Sequence, residues 1–385
     1  MNLSEIKDLL PTLQNSNSGT TNTHHSNDEI FSGTDNDNDN NNDSDDEDNE
    51  KNKSTKLENQ LKNNYPGQVI PDNHPDLINA DADLTNDIPI DTDYIELIHL
   101  KITSLKDLNL NRFNNLKYLC LRQNLIENLN AIKYFNNKSD FEELDLYDNR
   151  IKHISSELNL FTNLINLDLS FNKIKHIKNI ENLTKLKNLY FVQNKIEEIS
   201  NLKNLVNLVN LELGGNKIHE INLEILSLIN LEQLWLGKNK INNLQNLQNL
   251  KNLKILSIQS NRIIKIENLE NLTNLEELYL SHNGITKIEN LDKNLKLNTL
   301  DITSNRIERL ENLNHLKNLQ DLWLSNNYIS DFKNIETELK GCTSLETVYF
   351  EGNPVQKSNL TSYRRKIRMI LGPSLKKIDA TYIRS

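Results

Sequence analysis

An α/β solenoid of about twelve stacked repeats, closed by a C-terminal cap, is the fold class that this 385-residue chain predicts. Three observations carry the prediction. The frame L-x-x-L-x-L-x-x-N recurs eleven times, ending on Asn124, Asn149, Asn172, Asn194, Asn216, Asn239, Asn261, Asn283, Asn305, Asn327 and Asn353. Between Asn239 and Asn327 the asparagines are spaced by a strict 22 residues. After Asn353 the frame stops and a basic amphipathic run takes over. Repeats of this length stack one supersecondary unit on the next, which favours a broad curved binding surface over a buried cleft.

Taken in chain order, residues 1–90 form an acidic tail. Leu3, Ile6, Leu9, Leu10 and Leu13 lie at amphipathic spacing within it, a candidate partner-docking helix that is too short to be stable alone. Residues 15–64 are rich in Asn, Asp, Ser and Thr and bury too little to offset their ordering entropy, so disorder is expected. Asp35 to Glu50 holds nine carboxylates; the plain reading is a solvated linker. Ser44, followed by Asp45-Asp46-Glu47, is a candidate site for an acidophilic kinase.

Residues 91–353 hold the leucine-rich-repeat solenoid. Its first unit is degenerate: Ile95, Leu97, Ile102 and Leu105 fit the frame, with Leu100 in the place of the asparagine. A terminal unit has one face without a neighbour, so departure from the consensus is expected there. A typical unit runs from Leu275 to Leu291. Leu275, Leu278 and Leu280 enter the core; Leu278-Tyr279-Leu280 alternates in, out, in, as a short strand of a parallel concave sheet. Ile285, Ile288 and Leu291 carry the core around a convex side of short helical or 3-10 turns. The asparagine ends the strand, where the backbone loses ladder partners, and its carboxamide both donates and accepts there. These asparagines are therefore structural. The longer repeats, such as the 25 residues from Asn124 to Asn149 and the 26 from Asn327 to Asn353, should place their extra residues on the convex side. In the cap, residues 354–385, the run from Tyr363 to Ile370 has apolar residues at helical spacing and ends at Gly372-Pro373, after which Leu375, Ile378 and Ile383 close the core.

The net charge of −10 belongs to the tail. Residues 1–90 hold 19 acidic and 5 basic side chains, a net of −14, which leaves 35 acidic and 39 basic for the rest, a net of +4. No stretch is long and apolar enough to predict a membrane span, and the start of the chain does not read as a signal peptide. With two cysteines, Cys120 and Cys342, no disulfide-stapled cap is expected, which points to a reducing, intracellular compartment. No nucleotide-binding, hydrolase or metal motif occurs, and neither a cofactor nor a metal is expected. His153 and His176 are explained by the repeat, and His24-His25 lies in the tail. Lys and Arg do not stripe the strand positions, so nucleic acid is not the expected partner, and the Arg364, Arg365, Lys366 and Arg368 cluster reads as a solvated cap face.

The positions between the two core leucines of each strand face the concave side. In order they are Cys120, Asp145, Asp168, Tyr190, Glu212, Trp235, Ser257, Tyr279, Asp301, Trp323 and Tyr349. Both tryptophans of the chain fall in this row. Aromatics tolerate strand positions, which accounts for one or two of them; five predict an interface for a folded partner with apolar and basic groups.

The segments LCLRQNLI, ELDLYDNRI, LELGGNKI, LWLGKNKI, SIQSNRI, ELYLSHNGI, LDITSNRI and LETVYFEGNPVQ, with the ending YRRKIRMILGPSLKKIDATYIR, resemble the leucine-rich-repeat regulatory subunits of protein phosphatase type 1. The resemblance covers residues 91–385 and not the tail. It implies a non-catalytic subunit that grips the phosphatase catalytic subunit with its concave face and controls its maturation, activity and targeting. On the matching positions it implies contacts from Asp168, Tyr190, Glu212, Trp235, Asp301, Asp321, Trp323 and Tyr349. The family often carries Phe at the positions of Tyr190 and Trp235 and Glu at that of Asp321, swaps that keep chemical type and shift the fit. It also implies a nuclear location, a part in mitotic chromosome segregation, and a small inhibitor protein as a third partner. No basic-x-Val-x-Phe docking peptide stands exposed; Val348-Tyr349-Phe350 falls on a predicted core strand. The alternative is a leucine-rich-repeat adaptor of another complex, spliceosomal or ciliary.

Overall fold

The computed structural model describes residues 80–383. The amphipathic run 1–13, His24-His25, the acidic stretch and Ser44 lie outside the described residues. Fourteen strands among those described form one sheet in strict sequence order. It starts at β1 (Tyr94–Glu96) and runs in parallel steps, three residues per strand, to β12 (Thr347–Tyr349). Then β13 (Lys377–Ile378) pairs parallel with β12, and β14 (Thr381–Tyr382) turns back antiparallel to close the edge.

The central residue of each strand from β1 to β12 points into a core that runs along the sheet, and Leu167, Leu189, Leu211, Leu234, Leu256, Leu278, Leu300 and Leu322 are all at 0% exposure. On the convex side the spacing changes from two to three. Leu250 N–H donates to Leu247 O and Leu253 N–H to Leu250 O, both at 3.0 Å. These successive i to i+3 bonds turn every third side chain inward, which is the physical content of the L-x-x-L-x-x-L spacing. In the strict 22-residue repeats this turn chain takes the place of the expected helical turns. Helices occur where the repeat is longer: 3-10 turns at Ser156–Leu160 and Leu223–Ser227, and α1 (Phe332–Leu339) in the 26-residue repeat. The extra residues therefore lie on the convex side and leave the strand register untouched.

Three columns of asparagine tie each repeat to the one before. In the first, Asn283 Nδ2 donates to Ile258 O of the preceding repeat (3.1 Å) and to Leu280 O (3.0 Å), while its Oδ1 accepts from Ile263 N (2.9 Å). The same bonds recur at Asn305 and Asn327. The second column stands at positive φ, for example Asn246 (59°), Asn268 (59°) and Asn290 (61°). Asparagine tolerates this left-handed region better than most residues, and each side chain donates back to the preceding repeat, Asn268 to Leu244 O at 2.6 Å. A third column runs along the convex loops, with Asn230 donating to Val206 O and Asn274 to Lys251 O.

The ends are closed differently. At the N-terminal edge a 3-10 helix, Ala80–Thr85, precedes β1, and Thr85, fully buried, donates to Leu108 O at 2.9 Å. The stretch 80–90, which composition assigns to the tail, thus contributes to the first repeat. Ile95, Ile102 and Leu105 are buried, and Leu100, in the asparagine's place, is 42% exposed. At the C-terminal edge the chain passes through α2 (Pro354–Lys357) to α3 (Tyr363–Leu371), which ends at Gly372, φ 80°. Asp379 then accepts from Phe350 N (2.9 Å) and Glu351 N (3.0 Å), standing where a further repeat would have supplied partners. Among the described residues no helix is long and apolar enough to cross a membrane.

Candidate partner-binding surface

Strand register aligns the concave row without a break. Asp145, Asp168, Tyr190, Glu212 and Trp235 are successive partners, followed by Ser257, Tyr279, Asp301, Trp323 and Tyr349. Asp321 sits two residues before Trp323, in the parallel row that pairs Thr299, Asp321 and Thr347. All eight residues singled out from sequence therefore share one face. They divide into an acidic half and an aromatic half.

The aromatic half is a band of touching rings. Trp235 stacks on Tyr279 (6.3 Å), Tyr279 lies tilted against Trp323 (6.2 Å), and Trp323 meets Tyr349 edge-on (6.1 Å). Strands are about 4.8 Å apart, so rings two strands apart meet only by leaning over the residue between. Those residues are Ser257 and Asp301, left 1% and 8% exposed. Asp301, expected to offer its carboxylate to solvent, is thus buried, and its Oδ1 accepts from Thr303 N at 2.9 Å. Burial raises its pKa despite that bond, which makes the group a weaker acid. The aromatics themselves are half-buried rather than fully exposed. Tyr279, absent from the resemblance-based set, is the ring that joins the two tryptophans. Burial, with a 2.6 Å hydrogen bond to Glu277, raises its phenol. At the end of the band the cap supplies a cation: Lys377 Nζ lies 5.3 Å from the Tyr349 ring. The indole Nε1 of Trp323 is buried without a partner.

The acidic half is pre-arranged by amides. Asn166 Nδ2 donates to Glu143 (3.0 Å), Asn188 Nδ2 to Asn166 Oδ1 (2.7 Å), and Asn210 Nδ2 to both Glu212 and the Tyr190 hydroxyl (3.3 Å each). Asp145 and Asp168 each fold back onto the backbone two residues on, at Tyr147 N (3.0 Å) and Ser170 N (2.8 Å). Burial raises Asp168, Glu212 and Tyr190 and pushes Asp145 up to about 6. Arg122 pairs with Asp145 at 3.4 Å. Desolvated carboxylates with so little compensation are poised for a partner's cations. Cys120 is a free thiol that burial raises to about 11, so it is not a nucleophile at neutral pH. Two open recesses lie off the concave row, one on the convex loops about Glu198, Glu220 and Glu224 and one along the segments that lead into the strands, about Lys187, Val209 and Glu232. Among the described residues no group of His, Cys, Asp or Glu is placed to hold a metal.

The reading from periodicity followed only the residue between two leucines, and the resemblance added Asp321 alone from the next row. The rest of that companion row, two residues earlier on each strand, was missed: it holds Glu143, Asn166, Asn210 and Glu277. Period-two alternation puts that row on the same face, so the signal was available.

Comparison with known proteins agrees with the repeat architecture. The family described as leucine rich repeats (2 copies) matches residues 251–293 and 295–337. The chain is 60% identical over 319 residues, 82% of its length and 94% of the other's, to the protein phosphatase 1 regulatory subunit SDS22 of Saccharomyces cerevisiae. It is 36% identical over 152 residues, 38% of this chain and 46% of the other, to the protein phosphatase 1 regulatory inhibitor subunit PPP1R7 homolog of Arabidopsis thaliana. Among solved structures, an internalin of Listeria monocytogenes aligns over 76% of this chain and 82% of its own, with a TM-score of 0.65 and 24% identity, a likeness of fold alone.

Proposed function

The chain belongs to the family of leucine-rich-repeat regulatory subunits of protein phosphatase 1, and from that premise we propose that its concave row is the surface that grips the catalytic subunit. It is a non-catalytic regulatory subunit, and the regulation it exerts runs through binding. The observation that supports the concave row is the unbroken register from Asp168 to Tyr349, with desolvated carboxylates at one end and four rings in contact at the other. Trp235, Tyr279, Trp323 and Tyr349 serve as apolar anchors. Asp168 and Glu212, with Asp321 beside the band, pair with basic groups, and Asp301 lies beneath the rings. The resemblance over residues 91–385 supports action in the nucleus during chromosome segregation, with a small inhibitor protein as third member of the complex.

The test is calorimetry of the full chain with a type 1 phosphatase catalytic subunit, beside the double variant Trp235→Ala/Trp323→Ala. Loss of one central anchor costs roughly 2 kcal/mol or more in interfaces of this kind, so the pair should abolish measurable binding. A double variant that binds as tightly as the wild-type chain would remove the concave row from the interface.

A further inference from the structure

Outside the concave face, the residue after the ladder asparagine is basic in six consecutive repeats: Arg150, Lys173, Lys195, Lys217, Lys240 and Arg262. The backbone holds this row in register. Each of the six donates its N–H to an isoleucine carbonyl of the preceding repeat, at 2.7 to 2.9 Å. Five are exposed and Lys240 is half-buried. None of the six takes part in an ion pair among the described residues. At about 4.8 Å per strand, the row is some 24 Å long. Like charges held at that spacing repel, and an anionic partner relieves the repulsion.

A second observation is independent of charge. Phe171 stands just before Asn172 and Lys173, at the margin of the row, with φ 55°. A bulky side chain in the left-handed region is an outlier. Phe171 gains no core burial in return, since it is 41% exposed. Its ring rests on Tyr147 at 4.9 Å, and the Arg122 guanidinium lies 4.3 Å from the Tyr147 ring. Other repeats fill this left-handed slot with polar residues such as Gln193, Lys238 and Ser260, so Phe171 is set apart by presenting an exposed aromatic there, the kind of group that interfaces bury.

We propose that this rim docks an acidic segment of a protein partner, with a large apolar side chain of the segment against Phe171 and Tyr147 and its carboxylates along the basic row. An extended segment with an acid at alternate positions presents a carboxylate about every 6.7 Å, so three or four meet the row. A nucleic acid fits less well. Exposed Asp148, Glu197, Glu198 and Glu220 flank the row and repel a continuous line of phosphates, and a single aromatic pair is no stacking platform for successive bases. The rim uses none of the residues assigned to the phosphatase grip, so the two surfaces can be occupied together.

The probe is a fluorescein-labelled peptide that alternates Glu and Ser around a central Leu, read by anisotropy against the full chain at low salt. Binding should weaken roughly tenfold in Lys173→Glu/Lys195→Glu/Lys217→Glu and also in Phe171→Ala, and should fall with added salt. Lys173→Gln/Lys195→Gln/Lys217→Gln gives a milder second variant should charge reversal disturb folding, and unchanged binding of the phosphatase catalytic subunit shows that the concave row is intact. Absence of peptide binding by the wild-type chain, affinity unchanged in the variants, or an oligothymidylate that binds as tightly and is lost in the same variants would each overturn the proposal.

Discussion

Binding through the concave face should release protons, so affinity should rise with pH. The perturbation is the pH itself, from 5.0 to 7.5. Burial raises Asp168, Glu212 and Asp301 and pushes Asp145 up to about 6 from its ordinary 3.8. At pH 5, roughly nine in ten free molecules carry Asp145 protonated. A partner cation favours the ionised form and lowers the pKa on binding. Below its free pKa, each carboxylate that must ionise costs up to about tenfold in affinity per pH unit. For Asp145 alone the change between pH 5 and 7 is at most about tenfold, and each further carboxylate that ionises on binding adds to it in the same direction. Calorimetry in two buffers of different ionisation enthalpy counts the protons directly.

The free chain should respond with the opposite sign. A carboxylate whose folded pKa lies above its unfolded value destabilises the fold when ionised. For Asp145 that cost is absent below about 3.8, grows through the window up to about 6, and is then constant. The shift of about two units corresponds to a ceiling of about 3 kcal/mol. Asp145→Asn keeps an acceptor for Tyr147 N and carries no charge, so its melting temperature should exceed that of the wild-type chain at pH 7 and converge on it near pH 4. Affinity that falls as pH rises, or proton uptake on binding, would refute the reasoning, because it would mean the carboxylates are not met by cations.

Three stability measurements test the architecture itself. Asn305→Ala removes the acceptor of the buried Ile285 N–H and three donated bonds, and should cost about 2–4 kcal/mol in urea unfolding. Gly341→Ala would place a Cβ 1.8 Å from Asn314 O, so the end of α1 must move; about 3 kcal/mol or more should be lost by the same assay. Asn294 occupies a core column where neighbouring repeats carry Leu272 and Leu316, and its Oδ1 is buried without a partner. Leu269 O and Leu272 O, which accept from its Nδ2, already accept from backbone N–H groups. Asn294→Leu should therefore stabilise by about 1 kcal/mol, seen as a raised urea midpoint.

Sequence was most informative where the period repeats and least where neighbouring side chains decide. The strand, the inward leucines and the first asparagine column follow from the frame, because each is dictated by its own repeat. The second column, Asn246, Asn268 and Asn290, has the same period and was equally readable, but its role depends on positive φ, which no spacing displays. The burial of Asp301 was not readable. It depends on Tyr279 and Trp323, one strand to either side, being large enough to meet over it. Phe171 was hidden for a related reason: its slot holds Gln193, Lys238 and Ser260 in other repeats, so the frame marks it as a tolerant surface position.

The asparagine columns and the concave row are mechanically one device. A solenoid held by leucines alone keeps its core on small changes of repeat pitch, because apolar burial is not directional. Hydrogen bonds from Asn283, Asn305 and Asn327 to the preceding repeat are directional and fix the pitch at each step. The rings of Trp235, Tyr279 and Trp323 meet only if two successive steps keep that pitch, so the asparagines of these repeats, which stand outside the concave row, set the spacing of the anchors. Holding the band in its binding geometry before the partner arrives removes an ordering cost that a looser sheet would incur on association. The Asn-rich composition of the solenoid thus supports function as well as fold: it lets a surface built from three-residue strands act as a rigid one.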